Sequence, residues 1–473
     1  MHYFHLFSIK SYYFFLLVFF MFTKNISVAQ DSLSSFHIIS EIKIIGNKTT
    51  KAHIISRELP FAIQDTISIN ELNKTLERAQ SNLMNTLLFN FVNLEVVYFT
   101  DTYISVYITV EERWYWWPIP IFEVEETNFN TWWKTKDFDR ANYGMFLAKE
   151  NFRGRKERLV FKLQGGYTEK AEFRYHVPFA NKNQTQGFMI GFSYSRNHEV
   201  VYNTTDNKRD FLKINEQFIK KEFISKFNYE YRPKLYNTHL LGIQHHYLEV
   251  NDTILMLNND YLFTQDNELN YFSLLYNFKR DKRNFKSYPT KGYFIEFSAV
   301  KNGLGITKKE NSSMFLLGSY RKYWELSNRF YFATSLKGKY SIERPPFALL
   351  SGLGYNNNFV RGYEFYVING ENYAFFKSQL RYALVKDKVY HAKILSAEKF
   401  RKIPIAVYPG VFFDAGYVDD KKLKNTNILN NEMLFGAGAS LDLSTYYDIV
   451  FRVEYSINRM QEHGLFLHFI APL

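Results

Sequence analysis

Asp448-Ile449-Val450-Phe451-Arg452-Val453-Glu454-Tyr455-Ser456-Ile457-Asn458 alternates with a period of two. Successive side chains of a strand point to opposite sides. Ile449, Phe451, Val453, Tyr455 and Ile457 therefore share one face, and Arg452, Glu454, Ser456 and Asn458 share the other. One face suits hydrocarbon and the other water, which is the pattern of a transmembrane barrel strand. The same split recurs in Ala171-Glu172-Phe173-Arg174-Tyr175-His176-Val177 and in residues 373–382, where Lys377, Gln379 and Arg381 lie on one side. In residues 435–443 it turns Gly436, Gly438, Ser440 and Asp442 inward. A soluble sandwich also alternates, but it does not as a rule set charges behind so aromatic an opposite face in strand after strand. Roughly sixteen such strands fit between Pro118 and the C-terminus, an even number as in bacterial single-chain barrels. The expected fold is mainly β: a 16-stranded antiparallel transmembrane β-barrel over residues 114–473.

Composition agrees with strands and argues against membrane helices. The 473 residues include 36 Tyr and 47 Phe and no Cys, yet the mean hydropathy is −0.31. Barrel strands keep half their residues away from lipid, so the average stays polar. Beyond the N-terminus no stretch offers 18 consecutive apolar residues, so any span is made of strands. The formal charge is +12, but the basic residues are scattered, and no helix-turn-helix, zinc or RNA-recognition signature accompanies them, so nucleic acid is not an expected partner. Without cysteine there are no disulfides, thiolate nucleophiles or Cys-based zinc sites. Gly-x-Ser-x-Gly, Walker and His-Glu-x-x-His motifs are absent, and His245-His246 alternate faces on a strand. No enzyme, cofactor or metal is expected from this pattern.

At the N-terminus, Lys10 precedes the apolar run Ser11-Tyr12-Tyr13-Phe14-Phe15-Leu16-Leu17-Val18-Phe19-Phe20-Met21-Phe22, and Ser27-Val28-Ala29 places small residues for cleavage after Ala29. The run is too short for a spanning anchor, which needs about 20 residues. Residues 1–29 are expected to be a signal peptide; losing Lys10 and Lys24 with it lowers the charge from +12 to +10.

Residues 36–113 read as strand, helix, helix, strand, strand. His37-Ile38-Ile39-Ser40-Glu41-Ile42-Lys43-Ile44-Ile45 is rich in β-branched residues and closes at the turn pair Gly46-Asn47. A helix is expected from Lys51 to Leu59, stopping before Pro60. Ser68 is expected to cap a second, in which Ile69, Leu72, Leu76, Ala79, Leu83 and Leu87 form one buried face. Two strands, residues 91–99 and 103–110, complete a small α+β domain. This order, with Ile44-Ile45-Gly46-Asn47 at the first turn and Val110-Glu111-Glu112-Arg113 at the end, resembles a POTRA domain. The resemblance implies a periplasmic unit that receives unfolded polypeptide by adding its strand to a sheet edge, a mode that pairs backbone without reading sequence.

Four motifs extend the resemblance to the BamA/TamA outer-membrane assembly superfamily. Val360-Arg361-Gly362-Tyr363, after Phe359, is similar to that superfamily's sixth-extracellular-loop motif, and Val411-Phe412-Phe413-Asp414-Ala415-Gly416 to its Phe-x-Asp-x-Gly strand. Tyr288-Pro289-Thr290-Lys291-Gly292-Tyr293 is similar to its Pro-x-x-Gly turn, and Asn151-Phe152-Arg153-Gly154-Arg155 to its early turn. The chain departs from BamA itself in carrying one POTRA-like unit and in ending on Leu473 rather than an aromatic residue. The resemblance implies that Arg361 folds into the barrel and pairs with Asp414. Asp442 also turns inward, and a guanidinium can bridge two carboxylates as a planar fork where lysine cannot. The alternative is a solvated loop arginine.

Long polar segments, residues 199–217, 251–267 and 343–371, are expected to face outside, with Asn237-Thr238 at a periplasmic turn and the side of residues 181–186 open. The first strand, with Ile119 and Ile121, should close against a last strand whose outward set is Leu465, Leu467, Phe469, Ala471 and Leu473. Pro118 and Pro120 remove amide donors from that seam. The expected function is a Gram-negative outer-membrane protein that assists insertion and assembly of β-barrel proteins through a lateral seam. The alternative is a transporter passing polypeptide or lipid through the lumen. Expected partners are unfolded outer-membrane or secreted polypeptides and the lipid bilayer, with room for periplasmic or lipoprotein accessory subunits.

Overall fold

The computed structural model describes residues 36–469 apart from 127–128, 137, 356–357, 393–399, 446 and 448. The expected signal peptide, and Ala471 and Leu473 of the terminal strand, lie outside the described residues.

The small N-terminal domain is a four-stranded sheet in the order Thr66–Ser68, Phe36–Ile45, Tyr103–Glu112, Phe89–Tyr98. Phe36–Ile45 runs parallel to Tyr103–Glu112, and the other pairs are antiparallel. Helices Ala52–Ser56 and Ile69–Met84 cover it, burying Ile54, Ile55, Leu72, Ala79 and Leu83 against Ile39, Phe89, Ile104, Val106 and Ile108. Three local expectations shift. Ile69 and Leu87, expected on the buried face, are 43% and 47% exposed, and the helix ends at Met84, short of Leu87. Ser68 occupies the N-cap position but makes no side-chain cap hydrogen bond, so the second helix begins on its apolar stripe rather than on a cap. The first helix ends at Ser56, and Arg57 and Glu58 form a turn whose side chains are taken up by the barrel.

Seventeen strand segments close the barrel, from Trp116–Val124 to His463–His468. Two of them, Asn372–Tyr382 and Val385–His391, pair end to end with the same long strand, Lys402–Asp419. They fill one place in the ring, which therefore has sixteen positions. The alternation that opens the sequence holds: Ile449, Phe451, Val453, Tyr455 and Ile457 are 38–55% exposed, whereas Arg452, Glu454, Ser456 and Asn458 are 0–5% exposed. An apolar outer face thus surrounds a charged interior, as lipid outside and a packed polar lumen require. No helix among the described residues is long and apolar enough to cross a membrane.

The two ends of the barrel differ. The small domain docks at one end, against the turns at residues 153–156, 181–185, 232–236 and 283–291. Residues 181–186 are thereby assigned to the domain-bearing end, with Asn237 just beyond a turn on the same side. Strand alternation puts residues 199–217, 251–267 and 343–371 at the opposite end. There, hairpin Glu199–Thr205 with Lys208–Lys213 and helix Asp252–Leu257, capped by Asn251, share an apolar core that includes Val200, Ile219, Ile254, Tyr261 and Leu262.

Candidate functional site

Residues 359–363 descend into the lumen, and Val360, Arg361 and Tyr363 are 0–2% exposed there. Two glycines make the approach possible. Gly362 has φ +93°, a left-handed conformation that side chains disfavour. Across from it, a Cβ on Gly436 would stand 1.8 Å from the Arg361 carbonyl oxygen, so the barrel wall is bare where the loop backbone touches it. Asn458 Nδ2 then donates to the Gly362 carbonyl at 2.8 Å.

The buried Arg361 guanidinium uses its fork fully. Nε and Nη2 donate to the two oxygens of Asp414 at 2.8 and 2.6 Å, and the Arg361 backbone N–H donates to the same carboxylate at 3.1 Å. Nη1 reaches Glu454 at 3.3 Å and Nη2 also reaches the Ser378 carbonyl at 3.1 Å. The plane lies over the Phe412 ring, 3.8 Å from its centroid. Such bidentate geometry gives direction as well as attraction.

Asp442 is buried and inward, yet it is not a partner of Arg361. Asp414 stands opposite Gly436, and Asp442 is six residues further along that strand, about 20 Å at the usual rise. Its cross-strand neighbour is Arg452, which donates to it through Nε and Nη2, both at 2.6 Å, while the Tyr288 hydroxyl donates at 2.7 Å. The second carboxylate for Arg361 is Glu454, on the strand quoted at the outset. Its inward position was legible in the alternation; its partner depended on strand stagger. Tyr288, from the Pro-x-x-Gly turn, and His468, on the terminal strand, were also missed.

His468 ties the terminal strand to this cluster. Its ring stacks on Phe359 at 5.3 Å, and Nε2 lies 3.0 Å from Glu454 and 3.8 Å from Glu364. Among the described residues, Glu364, Glu454 and His468 form the group that could hold a cation, their ligand atoms lying within 4.8 Å of one another. Arg361 and Arg452 also stand against Glu454, at 3.3 and 3.5 Å, so the group is part of an ion-paired junction.

At the seam, Ile119, Leu465, Leu467 and Phe469 are exposed on the outer face and Ile121 is half-buried. The first strand offers no N–H at Pro118 and Pro120, two of its nine residues. The terminal strand pairs over six residues, His463–His468, with Val450–Asn458. On its other side the short helix Phe129–Thr135 reaches it at Leu467: the Asn130 amide accepts from the Leu467 N–H at 2.8 Å and donates to the Leu467 carbonyl at 3.2 Å.

At the opposite end of the barrel the small domain is clamped. Arg232 grips Glu58 through two bonds of 2.6 and 2.7 Å, and Arg57 donates to the carbonyls of Gln184 and Arg232, each at 3.0 Å. Asn151 donates to Thr50 at 2.8 Å, and the Lys51 N–H to the Gly154 carbonyl at 2.9 Å, which gives the early turn motif a docking role. Burial alone would raise the Glu58 pKa, but Arg232, with Lys156 and Arg57, holds it down to about 2.

Two family models match this chain: one described as Omp85 superfamily domain, over residues 151–446, and one described as surface antigen variable number repeat, a POTRA unit, over residues 37–113. The fold is similar to that of BamA from Haemophilus ducreyi lacking POTRA domains 1–3, at 14% identity and a TM-score of 0.51, covering 91% of this chain and 83% of that one. It is also similar to that of CdiB from Escherichia coli, at 13% identity and a TM-score of 0.54, covering 92% and 75% respectively. No curated protein matches the sequence.

Proposed function

The chain belongs to the Omp85 superfamily, and on that premise we propose that it assists the insertion and assembly of β-barrel proteins in the Gram-negative outer membrane. The POTRA-like domain stands in the periplasm and meets unfolded polypeptide, and the barrel seam then templates its strands. The reaction is folding itself, driven by pairing exposed backbone and burying apolar side chains in lipid, with no covalent chemistry and no nucleotide.

The observation that carries this reading is the weakness of the seam. Two prolines in the first strand and a terminal strand only six residues long make it the place where the ring costs least to open. Passage through the lumen is the second reading. It requires Arg361 to leave Asp414 and Glu454, because the loop fills the interior beside them. Photo-crosslinking from the POTRA-like domain in cells tests the choice of client. Captured outer-membrane barrel proteins support assembly; capture of one secreted polypeptide alone overturns it in favour of export.

A further inference from the structure

We propose that Asn130 is a latch that imitates a strand: its side-chain amide occupies the seam edge of the terminal strand at Leu467, and an incoming barrel-type strand takes its place. This rests on the seam-templating function proposed above.

The direction of the contact is fixed by strand geometry. In an antiparallel strand the N–H and C=O of one residue point to the same side. Leu467 stands opposite Val453, and both of its polar backbone groups go to Asn130. They therefore point away from Val453, toward the side on which the barrel closes. At this level the edge is met by a side chain and not by a backbone. A primary amide carries the donor and acceptor that a peptide unit carries, so a client backbone can replace it two bonds for two.

Its setting suits release. Asn130 is 6% exposed, so the amide is shielded while seated. Its helix, however, has seven residues, lies in the connection after the first strand, and exposes Trp133 and Lys134. What holds it against the barrel includes Lys134, 4.8 Å from the Phe365 ring centre. Phe365 in turn packs on Phe466 at 5.3 Å and is four residues from Arg361, so the latch and the loop meet at the terminal strand. Leu465, Leu467 and Phe469 are exposed on the outer face of that strand. The partner that fits is an extended segment with alternating side chains, apolar toward lipid, which is the chemistry of a transmembrane strand.

The test uses the full chain in lipid nanodiscs, with Asn130→Ala and Asn130→Asp. Aspartate keeps the acceptor for the Leu467 N–H but repels its carbonyl. Hydrogen exchange of the terminal-strand peptide should rise several-fold in Asn130→Ala and less in Asn130→Asp, while the peptide covering residues 433–444 stays unchanged. A synthetic peptide of alternating apolar and polar residues with one cysteine should form a disulfide with Leu467→Cys faster when Asn130 is alanine. A scrambled peptide of the same composition should not. Heat-dependent gel migration reports that each variant is folded. Unchanged exchange would show Asn130 to be a passive contact, and raised exchange without faster capture would show that the covered edge does not receive strands; either overturns the latch. Neither touches the assembly reading, which fails separately if a protein with its seam covalently closed remains active.

Discussion

Arg361→Ala strips Asp414 of both guanidinium donors and leaves it the backbone N–H of residue 361 alone from the loop. Removing one partner of a buried ion pair costs about 3–5 kcal/mol, because the other charge is left without compensation. The surroundings point to the lower end of that range. Lys377 is the register neighbour of Asp414 and can turn toward it, and Glu454 keeps Arg452 at 3.5 Å and His468 at 3.0 Å. A loss of about 3 kcal/mol raises the undocked population of the loop by roughly 10²-fold. Limited proteolysis within residues 343–371 reads that population directly when opening is faster than cleavage, so cleavage should accelerate by about two orders of magnitude while the barrel remains folded. Arg361→Lys keeps the charge but not the fork and should recover less than half of the protection. Arg361→Ala combined with Asp414→Asn should be far from additive, since the two act through one interaction. An unchanged cleavage rate in Arg361→Ala, or strict additivity in the double variant, would refute the claim that this pair anchors the loop.

Gly436→Ala should free the same loop without altering any charge, because the new methyl would meet the Arg361 carbonyl at 1.8 Å; overpacking of this kind costs about 1–3 kcal/mol, and normal protease resistance would contradict it. The Glu58 carboxyl, held at about 2 against an ordinary 4.5, adds docking stability that is complete above its ordinary value and is lost as pH falls from there toward 2. Spin labels on the small domain and the barrel should therefore separate at about pH 3, whereas Glu58→Gln should show the loosened state at neutral pH and lose that dependence; identical distances at both pH values would oppose the clamp. As a closed ladder leaves no strand ends to fray, the purified protein should run faster on a gel before boiling than after and give a strand-dominated circular dichroism spectrum. Equal mobility with a helical spectrum would contradict the fold.

Local pattern and long-range stagger divide what could be read in advance. Ile449 to Asn458 revealed a barrel strand because lipid and lumen impose opposite chemistry on adjacent residues, and that contrast is local. Arg361 and Asp414 were legible because both sit in motifs. The exchange of Asp442 for Glu454 was not, since each strand is offset from the next and an inward acid does not announce its level in the lumen. Asn130 was invisible for another reason: an asparagine in a polar connection is ordinary, and only the position of Leu467 gives it meaning. The docking contacts of Arg57 and Glu58 were hidden because their stretch reads as the end of a helix, while the barrel turns that receive them lie more than a hundred residues away.

The central claim is that the seam opens during function, and the absence of native cysteine permits a direct measurement. One cysteine placed at a position within residues 119–124 and one within residues 465–469, scanned over registers, will form a disulfide where their Cα atoms come within about 7 Å. Folding of an unfolded outer-membrane barrel protein into proteoliposomes is then followed by its heat-resistant gel mobility, with and without reductant. The account predicts that the locked protein is folded but inactive and that reduction restores activity. A locked, folded and fully active protein would contradict it and move the function to the lumen.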